Sequence, residues 1–156
     1  MQSSAVLSAC RQYRYSLTRS WGSCASTKHV VFIGLNPSTA DETQDDPTIR
    51  RCITYARSWG YDGLTMLNLF AFRATDPKVM FAALNPVGPD NDKTITSICA
   101  GAPLVICAWG NGGGHLSRSD EVKKMLPAPH CLTKTKQGEP GHPLYLSKDL
   151  KPIPLA

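Results

Sequence analysis

Polar side chains follow the first strongly apolar run of this sequence. Residues 30–33 read Val-Val-Phe-Ile, and Asn36, Ser38 and Asp41 come soon after them. A glycine and a proline end the run, so these side chains are predicted to lie on a loop after a buried strand. The Asn36 amide can hold a water or a ligand carbonyl, with a turn residue before proline as the alternative, and Ser38 can contact the same ligand. Asp41 can act as a general base, with a solvated carboxylate as the alternative.

The second apolar run, residues 64–70, contains one carboxamide, Asn68. A buried amide needs hydrogen-bond partners, and because it both donates and accepts it can read the edge of a nucleobase. An Asn68 satisfied by the neighbouring backbone is the alternative. Two further residues extend this candidate site. Phe70 can stack on a base or lie in the core, and Arg73 can bind a phosphate or carboxylate or pair with Asp76.

Two later segments carry further candidate site residues. Gly110 and Asn111 begin the segment Gly-Asn-Gly-Gly-Gly, whose backbone amides could approach a phosphate. This segment lacks the Gly-Lys-Ser/Thr ending of a P-loop, and a flexible loop is the alternative interpretation. His142 stands in Gly-His-Pro-Leu, where it can stabilise negative charge or be simply exposed. No Gly-x-Ser-x-Gly nucleophile motif is present in the sequence.

The charge balance favours an anionic partner. The 156-residue chain has 17 basic and 12 acidic residues, a formal net charge of +5 and a pI near 9.0. A nucleotide or a nucleic acid is the predicted partner, with a solubilising basic surface as the alternative. The length predicts one domain over residues 1–156. No apolar run approaches the roughly 20 residues that span a bilayer and no secretory signal is recognisable, so a cytoplasmic protein without a membrane partner is expected.

The spacing of the six cysteines does not favour a metal site. The sequence has no Cys-x-x-Cys and no Cys-x-x-His pair, so zinc binding is not predicted. We expect neither a metal nor another cofactor, and we expect reduced cysteines that pack as small core residues. Those in apolar segments are Cys52, Cys99 and Cys107, and the other three are Cys10, Cys24 and Cys131.

Strand and helix patterns alternate along the chain and must position these side chains. Continuous apolar runs predict buried strands, and the Asp-Pro pairs at 46–47 and 76–77 predict helix starts, with the acid as cap and the proline in the first turn. Residues 134–156 are predicted to be irregular. The predicted strands cover residues 29–35, 64–70, 104–109 and 130–133, with an edge strand at 13–19, and the predicted helices cover 47–59, 77–84, 91–100 and 118–126.

This alternation predicts an α/β fold. We expect three α/β/α layers around a mainly parallel four-stranded sheet, with the N-terminal edge strand added to it. Ligands of such sheets bind beyond the carboxyl ends of the strands. Asn36, Asn68, Gly110 and His142 follow four different strands, so they are predicted to converge on one cleft.

Several longer motifs resemble a known family. The segments at 34–41 (Gly-Leu-Asn-Pro-Ser-Thr-Ala-Asp), 45–51 (Asp-Asp-Pro-Thr-Ile-Arg-Arg) and 68–77 (Asn-Leu-Phe-Ala-Phe-Arg-Ala-Thr-Asp-Pro) are similar to domain of unknown function family 1643. Pro-Asp-Asn-Asp, Ala-Trp-Gly and Gly-His-Pro-Leu-Tyr-Leu, which follow in that order, fit the same family. The resemblance extends over nearly the whole chain and implies no established activity.

A more distant resemblance is to the uracil-DNA glycosylase superfamily, in particular its mismatch-type uracil/thymine glycosylases. The strand followed by Gly-Leu-Asn-Pro is similar to their first motif, with Ser38 in place of its second glycine. Leu144 stands where their last motif has a serine. The resemblance implies a glycosylase-like fold in which Asn36 positions the attacking water, Asn68 reads the base and His142 stabilises the departing base.

Two functions follow from these residues and from this resemblance. The first is hydrolysis of an N-glycosidic bond in a nucleotide or nucleic acid, including single-stranded or damaged DNA, and it requires the Asp41 carboxylate in the site. The second is a module that binds a base or nucleotide in the same pocket without catalysis.

Overall fold

A computed structural model of the chain describes residues 1–22 and 29–155. Within these residues seven strands form one sheet, and helices pack against it. The strands are β1 (Gln2–Leu7), β2 (Arg14–Ser20), β3 (His29–Gly34), β4 (Gly63–Asn68), β5 (Val105–Cys107), β6 (Pro129–Cys131) and β7 (Ile153–Pro154). The helices are α1 (Pro47–Ser58), α2 (Pro77–Ala82), α3 (Asn91–Ala100) and α4 (Arg118–Lys123), with 3₁₀ turns at Asn111–Ser117 and Pro143–Tyr145.

The four strands that the apolar runs predicted are adjacent and parallel. Across the sheet the order is β1-β2-β4-β3-β5-β6-β7, and β4, β3, β5 and β6 run in the same direction. Alternate residues of β3, β4 and β5 contribute to two hydrophobic clusters, so the clusters lie on opposite faces. One cluster includes the apolar face of α1, and the other includes residues of α2, α3 and α4. The prediction of a mainly parallel sheet between helices is therefore confirmed at this level.

The number of strands and the position of the N-terminal strand were predicted wrongly. β2, predicted as an edge strand over residues 13–19, lies inside the sheet between β1 and β4 and is antiparallel to both. β1 was missed because its first three residues, Gln-Ser-Ser, give no apolar alternation. β7 lies in the tail that was predicted to be irregular, and its two residues are too few for any pattern to indicate.

Helix starts were predicted better than helix ends. Asp46 accepts a hydrogen bond from the Ile49 backbone N–H at 2.9 Å, and Asp76 accepts one from Lys78 at 3.0 Å, as expected for caps that precede proline. α2 ends at Ala82, two residues before the predicted end, since the backbone of the next residue is extended. α4 ends at Lys123 rather than at residue 126. The glycine-rich segment after β5 forms short 3₁₀ turns instead of an irregular loop.

The structure describes five of the six cysteines, and all five are free thiols. Cys24 lies outside the described residues. Within residues 1–22 and 29–155, no cluster of three or more histidine, cysteine, aspartate or glutamate side chains is arranged to hold a metal ion. The helices of the same residues include none that is both long and apolar enough to cross a bilayer.

Candidate ligand-binding cleft at the carboxyl ends of the central strands

A cleft of about 450 Å³ opens at the carboxyl ends of β3 and β4. Its volume lies in the range of small-molecule sites. The first turn of α1 borders it on one side and the segment from His142 to Tyr145 on another. The lining residues are Arg14, Gly34, Leu35, Asn36, Pro37, Ser38, Thr39, Asp46, Pro47, Thr48, Ile49, Met66, Asn68, Ala74, Thr75, Pro77, His142, Leu144 and Tyr145.

Four of the site residues predicted from the sequence line this cleft together. They are Asn36, Ser38, Asn68 and His142, which come from three separate parts of the chain. Gly110 lies directly behind them, since a Cβ added to it would be 3.8 Å from the His142 Cβ. Its positive φ of 70° and the 2.8 Å hydrogen bond that its N–H donates to the Pro140 carbonyl make it part of the support of the cleft.

The Asn68 amide is held in one orientation by a buried arginine. Arg14 is 2% exposed and Asn68 is 3% exposed, and the guanidinium Nη2 of Arg14 donates to Asn68 Oδ1 at 3.2 Å. A guanidinium can only donate, so the amide oxygen must face it and Nδ2 must face the other way. Nδ2 lies beside Gly34, where a Cβ would be only 3.0 Å away. Because Gly34 has no side chain, the amide donor has room at the floor of the cleft.

Arg14 differs from the other fully buried arginines in its partners. Arg19 pairs with Asp45 at 2.7 Å, and Arg118 pairs with two carboxylates. No described carboxylate lies within 4.0 Å of Arg14, whose second bond goes to the Ala40 carbonyl at 2.9 Å and whose Nε is buried without a partner. Burial lowers the pKa of Arg14 to about 10, with Asp46 acting in the opposite direction. The guanidinium therefore stays charged at neutral pH and is held mainly by neutral oxygens.

His142 faces the cleft as a neutral hydrogen-bond donor. The Leu144 backbone N–H donates to His142 Nδ1 at 3.2 Å, so Nδ1 carries no proton and the ring proton sits on Nε2. Burial lowers the pKa of His142, and the nearby Asp46 carboxylate only partly opposes that shift. Burial therefore favours the neutral imidazole.

The Asn36 side chain is used to hold the loop that carries it. Its Nδ2 donates to the Ala74 carbonyl at 2.9 Å and to the Pro37 carbonyl at 3.1 Å. These bonds connect the loop after β3 with the segment that precedes α2, and they leave Oδ1 as the atom that can accept from a water or ligand. The turn role and the ligand role, which the sequence left open, are therefore compatible.

Asp41 and Arg73 are engaged outside the cleft lining. Asp41 Oδ1 accepts hydrogen bonds from the backbone N–H groups of Thr43 and Gln44 at 2.9 and 2.8 Å, which closes its own loop. These bonds lower the pKa of Asp41. Arg73 donates through Nη1 to the Arg11 carbonyl at 3.2 Å, and no ion pair with Asp76 occurs among the described residues. The structure thus places neither side chain on the cleft surface.

Phe70 and Asn111 are also outside the lining. Phe70 is fully buried in the hydrophobic cluster that packs against α2 and α3, with its ring 5.5 Å from the His115 ring. β4 ends at Asn68, so the chain has already left the strand when it reaches this phenylalanine. Asn111 Oδ1 accepts from the Thr135 hydroxyl at 2.6 Å and links two surface segments. The core alternative that the sequence left open for Phe70 is the one observed.

Three charged or aromatic residues of the cleft lining were not among the predicted site residues. Arg14 was given no role in the site, and Asp46 was assigned to the helix cap. Asp46 is buried, and it is the one carboxylate among the described residues of the lining. Tyr145 is 88% exposed at the rim, 6.1 Å from the His142 ring. The Asp-Pro pair was a signal for the position of Asp46, whereas nothing in the local sequence indicates that Arg14 reaches the floor of the cleft.

Comparison with known proteins assigns the chain to a family. The family model described as "Protein of unknown function (DUF1643)" matches residues 14–144. The chain belongs to the DUF1643 family. The matched range begins at Arg14 and includes the whole lining of the cleft except Tyr145. No curated protein and no solved structure matches the chain, so the comparisons give no support to a relationship between this DUF1643 protein and the uracil-DNA glycosylases.

Proposed function

We propose that the cleft binds a nucleobase, carried by a nucleotide or by a nucleic acid. The observation that carries this proposal is the Asn68 amide, whose oxygen is engaged by Arg14 and whose Nδ2 lies beside Gly34, another residue of the cleft lining. A buried donor of fixed orientation selects a ligand that presents an acceptor at that point. The carbonyl oxygens of keto bases are such acceptors, whereas the exocyclic amino group of adenine or cytosine is a donor.

Two further features of the cleft and the net charge of the chain support a base-containing ligand. His142 offers a second donor, Nε2–H, from a neutral ring, so the site can hold a polar edge without a charged contact. Tyr145 stands exposed at the rim, where its ring can stack on a base, and such stacking contributes about 1–3 kcal/mol per base. The net charge of +5 favours the approach of a phosphate-bearing ligand.

Binding without hydrolysis is favoured by the position of the carboxylates. Hydrolysis of an N-glycosidic bond requires a water to attack the sugar carbon, a base to take the proton of that water, and stabilisation of the departing nucleobase. Asp41, the predicted base, is engaged in its own loop. Asp46 lines the cleft, but its two oxygens accept from the backbone N–H groups of Ile49 and Ala40.

Hydrolysis is a second candidate on the strength of one observation. A neutral His142 with its proton on Nε2 is suited to donate a hydrogen bond to the oxygen of a departing base. Tests of the protein with candidate ligands must therefore measure both ligand binding and the release of free base.

Calorimetric titration with nucleosides, nucleotides and short single strands tests the proposal. The wild type is expected to bind keto bases better than amino bases, and Asn68→Ala is expected to weaken binding by about 1–3 kcal/mol because it removes the buried donor. Asn68→Asp, which keeps an oxygen partner for Arg14, is expected to reverse the preference toward amino bases, because an acceptor replaces the donor. Chromatography of the same mixtures detects free base.

Asn85→Ala is the matched control, since Asn85 is exposed and lies outside the cleft lining. Its affinity is expected to equal that of the wild type. Equal affinity and selectivity in the wild type and Asn68→Ala, for a ligand that the wild type binds, would remove Asn68 from the site. A wild type that binds no member of the panel contradicts the proposal as a whole. Free base released by the wild type and not by His142→Ala would establish the hydrolytic candidate instead.

A further inference from the structure

The two edges of the sheet are protected very differently. β7 has two residues, one of which is Pro154, so it offers almost no free backbone for pairing. β1 has six residues, Gln-Ser-Ser-Ala-Val-Leu, with neither a charge nor a proline. It pairs with β2 on one side, and no described strand pairs with its other side. Among the residues that the structure describes, β1 is therefore an open edge of the kind that natural sheets normally block.

The geometry of β1 is regular enough for a further strand to pair with its outer side. Its residues 2–6 pair in regular register with β2, and the irregularity between Val6 and Leu7 affects only the last position. Ala5 packs toward the core, whereas Val6 is 58% exposed and Ser4 is exposed as well. The five regular residues are thus fixed in strand conformation before any partner arrives, so little ordering is needed for association.

A depression of about 410 Å³ lies beside this edge, between Val6 of β1, the adjoining part of β2, and α3. Its α3 side carries Lys93, Thr94, Ser97 and Ile98, and Asp90 lies at the start of that helix. One acidic and one basic side chain therefore border the same surface. In a two-fold dimer the same surface of each copy meets that of the other. An acidic group of one copy can then lie against a basic group of its partner.

We propose that β1 pairs antiparallel with β1 of a second copy of this chain, which joins the two sheets across a two-fold axis. With residues 2–6 paired, residue 2 lies opposite residue 6, residue 3 opposite residue 5, and Ser4 opposite Ser4 on the axis. The depressions beside the two strands then face each other, and the exposed Val6 side chains are covered. β1 lies outside the range that the DUF1643 family model matches.

Sedimentation equilibrium of the full chain at 150 mM salt tests the proposal, since salt screens the repulsion between two copies of net charge +5. The wild type is expected to approach twice the monomer mass of 17.0 kDa as its concentration rises. Ser4→Lys places two ammonium groups opposite each other on the axis and is expected to weaken association at least about tenfold. Ile153→Lys adds the same charge at the opposite edge and is expected to leave association unchanged.

Hydrogen exchange locates the contact independently. The amides of residues 2–6 are expected to exchange more slowly as the wild-type concentration rises, and those of Ser4→Lys are expected to show no such change. A wild type that stays monomeric at protein concentrations on the order of 100 μM overturns the proposal. So does a dimer that Ser4→Lys does not weaken, or one in which residues 2–6 gain no protection, because that dimer forms through another surface.

Discussion

Replacing Asn68 by aspartate tests the central contact of the cleft through stability alone. In the wild type, Arg14 is buried, has no carboxylate within 4.0 Å among the described residues, and donates to Asn68 Oδ1 at 3.2 Å. Asn68→Asp keeps an oxygen at that position and adds a negative charge. The cost of burying the guanidinium is already present in the wild type, so only the desolvation of the new carboxylate opposes the gain.

The expected magnitude follows from the strength of charge-assisted bonds. The wild-type bond is already assisted by the charge of Arg14, so the added negative charge must offset the desolvation of a buried carboxylate, and Asn68→Asp is expected to stay within about 1 kcal/mol of the wild-type free energy of unfolding. Asn68→Ala instead leaves a buried charged donor unpaired, which costs about 3 kcal/mol. In a domain of this size each kcal/mol shifts the melting temperature by about 2–4 °C, so Asn68→Ala is expected to melt roughly 6–12 °C below the wild type, and Asn68→Asp much closer to it.

Thermal and urea unfolding followed by circular dichroism measures this difference. Gln137→Glu is the control for the change of one unit in net charge, because Gln137 is exposed, lies outside the cleft lining and makes no side-chain hydrogen bond to the described residues. The guanidinium is expected to hold the pKa of the new carboxylate below its usual value. The stability that the ion pair between Arg14 and the new carboxylate contributes to the variant is therefore present above the unfolded pKa of about 3.9 and is lost as the pH falls through the lower folded pKa.

Equal destabilisation by Asn68→Asp and Asn68→Ala would refute the reasoning. It would mean that a negative charge on the atom facing Arg14 adds no stability to the fold. The assigned orientation of the Asn68 amide would then have no support. Nothing would then direct Nδ2 toward the cleft, and the expected preference for an acceptor on the ligand would be lost with it.

Two further predictions concern residues around the same amide. Burial lowers the pKa of His142, so the unfolded chain binds the proton more readily and stability is lost as the pH falls below about 6.5. Urea titrations are expected to show a steeper loss of stability between pH 7 and pH 5 in the wild type than in His142→Gln. Equal slopes would contradict this. Gly34→Ala places a Cβ 2.8 Å from Met66 Cε and 3.0 Å from Asn68 Nδ2, so it is expected to destabilise the fold by about 1–3 kcal/mol in the same assay. Gly101→Ala is the control, because no atom lies within 4 Å of its Cβ, and it is expected to cost little stability.

Patterns within a few residues predicted the elements that carry the cleft. The apolar runs identified β3 and β4, whose carboxyl ends bring Asn36 and Asn68 to the same edge of the sheet. The Asp-Pro pair identified the start of α1, and the cap bond from Asp46 to the Ile49 N–H lies within that turn. Such features depend on the residues themselves and on their immediate neighbours, so the sequence contains the information directly.

These local patterns could not predict contacts between residues that are far apart in the sequence. Arg14 and Asn68 are 54 positions apart, and their contact exists only because β2 is inserted beside β4 in the assembled sheet. An edge strand was predicted at residues 13–19 without its neighbour in the sheet, so the contact with β4 was not predicted. β1, which makes β2 an inner strand, has too few apolar residues to indicate its own presence.

The sequence by itself therefore determined which side chains stand at the ends of the central strands, and tertiary structure decided what each of them contacts. Asp41 and Asp46 illustrate the difference. Both are carboxylates on the same loop, yet Asp41 closes its own turn through Thr43 and Gln44, while Asp46 lines the cleft. The physical reason is that spacing along the chain sets the order of side chains, whereas their direction and burial depend on elements that pack against the loop from elsewhere in the chain.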